Sequence, residues 1–152
     1  MIDIQYNPSL EKTFDQALLE NAARTAFSHQ SAPKDATLSL LLTDDDQIQA
    51  LNRDYRGFDK PTDVLSFDVH ERDPETGYLY LGEIIISVPY AAKQAAQNQH
   101  PLESELQLLV VHGVLHLLGH DHAETEEKAK MWVAQDEILA QLGLGKIKFT
   151  EI

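Results

Sequence analysis

Cysteine is absent from the 152 residues. That excludes a disulfide framework and a thiolate metal site, so any transition-metal ligands must be His or carboxylate. Cations are scarce: 12 Lys and Arg stand against 25 Asp and Glu, for a formal net charge of −13. This is the wrong sign for generic attraction to nucleic acid or anionic lipid, and an RNA partner would have to be met by a local positive site. Also missing is any run approaching the roughly 18 apolar residues of a membrane span. The opening segment from Met1 to Pro8 has no basic stretch followed by an apolar one of signal-peptide length. A soluble, cytoplasmic protein with no membrane partner is the expectation. No repeat, low-complexity tract or linker interrupts the chain, and with 43% hydrophobic residues its length suits one domain over 1–152.

What is present reads as alternating short elements. Ile2, Ile4 and Tyr6 alternate with polar residues and stop at Asn7 and Pro8, the pattern of a strand closed by a turn. Thr13, with Gln16 three residues on, predicts a capping box for a helix whose stripe is Phe14, Ala17, Leu18, Ala22 and Ala26. Ala36 to Leu42 reads as a second strand. Asp44 then caps a helix with Ile48, Leu51 and Tyr55 facing inward and Gly57 ending it. Val64 to Phe67 and Leu81 to Val88 read as neighbouring strands joined by a long loop from His70 to Gly77. Pro89 starts a helix to about Asn98, and Pro101 starts another that is apolar on nearly every side and must cross the core. Gly119 stops it. A last helix from about Ala123 to Leu142 carries Met131, Trp132, Ile138, Leu139 and Leu142 inward, with Asp121, Glu124, Glu126 and Glu127 as a solvated face near its start. This order predicts an α+β domain, a mixed sheet of about four strands packed on a central buried helix that carries histidines.

Four of the seven histidines fall between His112 and His122. Isolated buried histidines usually just satisfy backbone carbonyls, but four so close on the most buried helix argue for a shared ion. On a helix, His112 and His116 project from one face about one turn, roughly 6 Å, apart. Gly119 and His122 occupy the offsets that let the chain turn back and deliver a third imidazole. The spacing is that of the metzincin pattern H-x-x-x-H-x-x-G-x-x-H, in which three neutral imidazoles hold one zinc ion. His120 shares the helical face in principle, but it would lie about 12 Å along the axis from His112, too far for one ion; it belongs to the rim. Zinc peptidases of the H-E-x-x-H type take their general base from the residue after the first His, and here that residue is Gly113. Asp121 or Glu83 could stand in, but no spacing places either.

From His112 to His122 the residues follow H-G-x-L-H-L-x-G-H-D-H, and this signature resembles that of the YbeY-type endoribonucleases, also called rRNA maturation factors. The stretch from Leu51 to Gly57, followed by Asp59 to Phe67, resembles the family's second block, and Leu81 to Ser87 its third. One departure is Asp68, where family members often have Pro, which bears on the path of the strand end. The resemblance implies that His112, His116 and His122 are the ligands of one Zn2+ ion and that Arg56 is the cationic residue used on RNA. It further implies single-strand-specific RNA cleavage, a part in 16S rRNA maturation and ribosome quality control, and contact with the small ribosomal subunit; no DNA partner is expected.

Beside the resemblance stands the chemistry of the residues. An Arg near a helix C-terminus is favourable for the dipole alone, but a guanidinium beside a metal is also well shaped to bind two oxygens of a phosphorane. Arg53, Arg56 and Lys60 form the densest cationic stretch of the chain, and His120 is the candidate proton carrier. Two rivals remain at this point: a non-catalytic ribosome-assembly factor with a structural zinc, and a zinc peptidase.

Overall fold

Alternation of apolar and polar side chains sets the sheet. In the computed structural model, which describes residues 2–10, 13–121 and 123–145, strand β1 spans Ile2–Tyr6 and β2 Ala36–Thr43, with Leu38, Leu40 and Leu42 all buried on one face. Strands β3 (Val64–Arg72) and β4 (Leu79–Ser87) complete a four-stranded sheet in the order β1-β2-β4-β3. The first two pairings are parallel and the last antiparallel. The parallel pairs need crossovers, which helix α1 (Gln16–His29) and then α2 (Asp45–Arg56) with β3 supply.

Period-two side-chain alternation divides β4 between two cores. Ile84 and Ile86 face the main one, while Ile85 meets Ile48 of α2 and Leu65 of β3 on the opposite face. Helix α4 (Leu102–Leu117) runs through the main core, between the sheet and helices α1, α3 (Val88–Gln97) and α5 (Thr125–Gln141). Its residues are buried on almost every side, as their apolar character requires. The α+β architecture predicted from the order of elements is the one observed. No helix among the described residues is long and apolar enough to cross a membrane.

Several local expectations give way. The cap of α1 is Asp15, whose carboxylate accepts from the Ala17 N–H, while the Thr13 hydroxyl donates back to the Leu10 carbonyl. Strands β3 and β4 continue through much of the expected loop, because ladder bonds use the backbone and tolerate polar side chains. The pairs Glu71–Tyr80 and Arg72–Leu79 re-form after a register shift that follows Asp68, with His70 at φ 53° absorbing the extra residue. Only the turn from Asp73 to Tyr78 remains, closed by the Gly77 N–H on the Asp73 carbonyl. Tyr55, expected inward, is 70% exposed.

Candidate active site

Helix α4 brings two of the predicted ligands together. His112 and His116 lie on one face with ring centroids 4.8 Å apart and planes at 75°. His112 is 1% exposed, and its Nδ1–H donates to the side-chain oxygen of Gln135, a buried residue of α5, at 3.1 Å. That bond selects the tautomer in which Nε2 carries the lone pair, the arrangement by which an outer partner orients a metal-binding imidazole. His122 lies outside the described residues; among the described residues, no group of three His, Cys, Asp or Glu side chains is arranged to hold a metal ion. The two described donors, His112 and His116, are neutral nitrogen ligands of the kind a zinc-like ion takes.

Gly113 has a packing reason. A Cβ there would come within 2.8 Å of the Ile84 side chain, so the helix presses directly on β4 at this point. A glutamate at the position would be driven into the sheet, away from the histidine face. The position that carries the base in H-E-x-x-H enzymes is here a helix–sheet contact.

His120 is half-buried and turned toward α1. Its Nε2–H donates to the Gln30 side-chain oxygen at 2.6 Å, Gln30 in turn donates to His29 Nδ1 at 2.9 Å, and His29 reaches the Glu137 carboxylate at 2.6 Å. Burial first, then the charges of His29 and Lys130, hold His120 below the usual histidine range. It stands beyond the cavity that the other residues line.

That cavity, of about 770 Å³, has His112, His116 and Asp121 on one wall and Arg56, Phe58 and Lys60 among the residues of the other. Helix α2 ends at Arg56 because Gly57 takes the left-handed conformation, φ 79°, and donates its N–H to the Arg53 carbonyl. The loop beyond is tied back to the helix: buried Asn52 donates to the Lys60 carbonyl at 2.9 Å, and Gln49 to Asp59 at 3.0 Å. Arg56 and Lys60 are thereby held at the cavity mouth, whereas Arg53 turns to Asp54, 3.1 Å away, on the exposed surface. Asp121 shares the cavity; Glu83, within the sheet, does not line it.

A family model described as Endoribonuclease YbeY matches residues 2–143. The chain belongs to the YbeY family. It is 40% identical over 133 residues to the Endoribonuclease YbeY of Persephonella marina, covering 87% of this chain and 86% of that protein. It is 45% identical over 143 residues to that of Desulfitobacterium hafniense, covering 90% and 91%. A protein of Thermotoga maritima solved in solution has the same fold, with TM-score 0.61 and 28% identity over 96% of this chain and 94% of that one.

Within the YbeY frame, sequence reasoning missed Gln135 and Asp63. Gln135 is 23 residues from His112, on another helix, and no local pattern announces it. Asp63 is 3% exposed; its carboxylate accepts from the Val64 N–H at 2.7 Å and from Gln94 at 3.2 Å, and it lies in the cavity floor. Burial pushes its pKa up, against the lowering effect of those bonds. Glu105, fully buried at 2.6 Å from His100, is pushed up by the same cause. The signal for Asp63 was available: an Asp immediately before an apolar β-branched strand has to satisfy its carboxylate somewhere.

Proposed function

We propose that this YbeY-family chain is a zinc-dependent endoribonuclease that cuts single-stranded RNA, acting in 16S rRNA maturation and ribosome quality control at the small ribosomal subunit. The observation that carries this reading is one cavity that joins the paired imidazoles of His112 and His116, the first with its tautomer fixed by Gln135, to the cations Arg56 and Lys60 of an otherwise acidic protein. Its relatives are named endoribonucleases. His112, His116 and His122 would hold the ion, which when bound supplies Lewis acidity toward a phosphoryl oxygen or an attacking hydroxyl. Gln135 holds the His112 ring in its metal-binding tautomer. Arg56 binds the negative charge that gathers on phosphorane oxygens, and Lys60 adds a second cation for the flanking backbone. His120, its Nε2 bonded to the Gln30 side-chain oxygen, stands at the rim of the site as the candidate proton carrier. The peptidase rival is disfavoured by the contact of Gly113 with Ile84, which leaves no room for the usual base.

The test is cleavage of a single-stranded rRNA fragment by zinc-loaded protein and by Arg56→Ala, the variant first checked for unchanged metal content and melting temperature. The expected loss is about a hundredfold or more in rate, the scale of removing one charge-stabilising donor. Equal cutting would sink the role of Arg56. No cutting by either protein would instead favour the assembly-factor reading.

A further inference from the structure

The cavity carries more exposed aromatic surface than a phosphate site needs. Tyr55, one residue before Arg56, is 70% exposed, and Phe58, two residues after it, is 50% exposed; both line the cavity with His112 and His116. Large apolar side chains are left in water at a cost, and the other exposed ones among the described residues, Val69, Tyr78 and Val133, do not line this cavity. Neither ring is loose. Tyr55 packs edge-on against Phe67 of β3, with centroids 5.3 Å apart, which steadies the ring. Two cations approach Phe58: the Arg56 guanidinium carbon is 5.3 Å and the Lys60 ammonium 5.8 Å from its centroid. Both distances are within cation–π range. The loop bearing Phe58 is fastened by the Asn52 and Gln49 bonds already described.

Aromatic faces interleaved with cations beside a cleft are what a single-stranded nucleic acid requires: charges follow the backbone, and rings take the unstacked bases. We infer that Tyr55 and Phe58 form a stacking platform for nucleobases next to the scissile phosphate, which makes the site read single strands whatever their sequence. Bases in a duplex already stack on each other and cannot use the platform. This deepens the ribonuclease reading and rests on it. A protein partner fits the patch less well, because the apolar surface is small and split by cations.

The experiment compares binding of a 2′-O-methyl oligouridylate and of an abasic chain of the same length by fluorescence anisotropy, using the intact 152-residue chain. Wild type is expected to prefer the base-bearing oligomer by about tenfold or more, from roughly tenfold per stacked base. In the Tyr55→Ala, Phe58→Ala double variant that preference should shrink to about threefold or less, with the salt dependence of binding unchanged because no charge was removed. Tyr55→Trp and Phe58→Trp should retain the preference, and the fluorescence of the new indole at either position should be quenched on binding. Melting curves verify that each variant is folded. If wild type binds the RNA but does not distinguish it from the abasic chain, or if the double alanine variant keeps the full preference, the platform is overturned and the ribonuclease reading stands. If wild type binds neither oligomer, both fall.

Discussion

The histidine wall of the cavity is part of the core, whereas the cationic wall is hung outside it. His112 is 1% exposed on a helix buried on nearly every side, with Gln135 behind it and the sheet pressing at Gly113. Arg56, Phe58 and Lys60 are exposed, and they are placed by a helix cap and two side-chain tethers rather than by packing. Burial fixes the geometry of the His112 ring, so under the proposed function little ordering is left to be done there when an ion binds. In the proposed function a polymer has to slide in and out past the second wall, whose side chains stay hydrated. Substitutions in the first wall should therefore strike fold and site together, and those in the second should strike the site alone.

The comparison breaks most sharply at Gly113. Gly113→Glu would drive a carboxylate into the contact with Ile84, and it is expected to leave no folded protein, seen as loss of the cooperative urea transition. Gly113→Ala asks for a small shift of the Ile84 side chain and should cost about 1–3 kcal/mol of unfolding free energy. Wild-type stability in Gly113→Ala would mean that the helix–sheet contact is looser than the geometry states. One step less severe is Gln135→Ala, which removes the partner of His112 Nδ1. Zinc affinity, measured by competition with a chromogenic chelator, should fall about 10- to 100-fold. Unchanged affinity would show that His112 is oriented by packing alone.

The smallest effect is a change of slope. Burial raises the Asp63 carboxyl, so as pH climbs from the ordinary aspartate range through its raised value, the folded protein keeps a proton that the unfolded chain has lost. Stability contributed below that window is lost across it. Asp63→Asn removes this part of the decline, so its urea midpoints should fall less steeply with rising pH than those of wild type. Glu105, raised by burial and facing His100 and Asp63, contributes its own decline, which persists in the variant. Parallel curves for the two proteins would show that the Asp63 carboxyl ionises as readily inside the fold as outside.

Much of the architecture was legible because it follows from periodicity. The alternation in β1 and β2, the Asp44 cap and Gly57 stop of α2, and the apolar circumference of α4 are each local properties, and each lies where its pattern put it. The errors have separate causes. Thr13 gave way to Asp15 as a cap, and β3 and β4 ran past His70 because backbone pairing, not side-chain character, decides where a ladder ends. Tyr55 lies on the helical stripe of Ile48 and Leu51, but at the last turn of α2 it meets the sheet only edge-on at Phe67 and stays 70% exposed. The family resemblance named Arg56; its nearness to the histidines could not be read from spacing.

By itself, then, the sequence determined the order of strands and helices and the shared helical face of His112 and His116, since both depend only on distances of a few residues along the chain. Tertiary structure decided the rest: that Gln135 stands behind His112, that Ile84 requires Gly113, and that an exposed loop after α2 faces the buried helix α4 across one cavity. These are contacts between residues far apart in sequence. They are fixed by how helices and sheet pack to bury the core, and no local pattern encodes them.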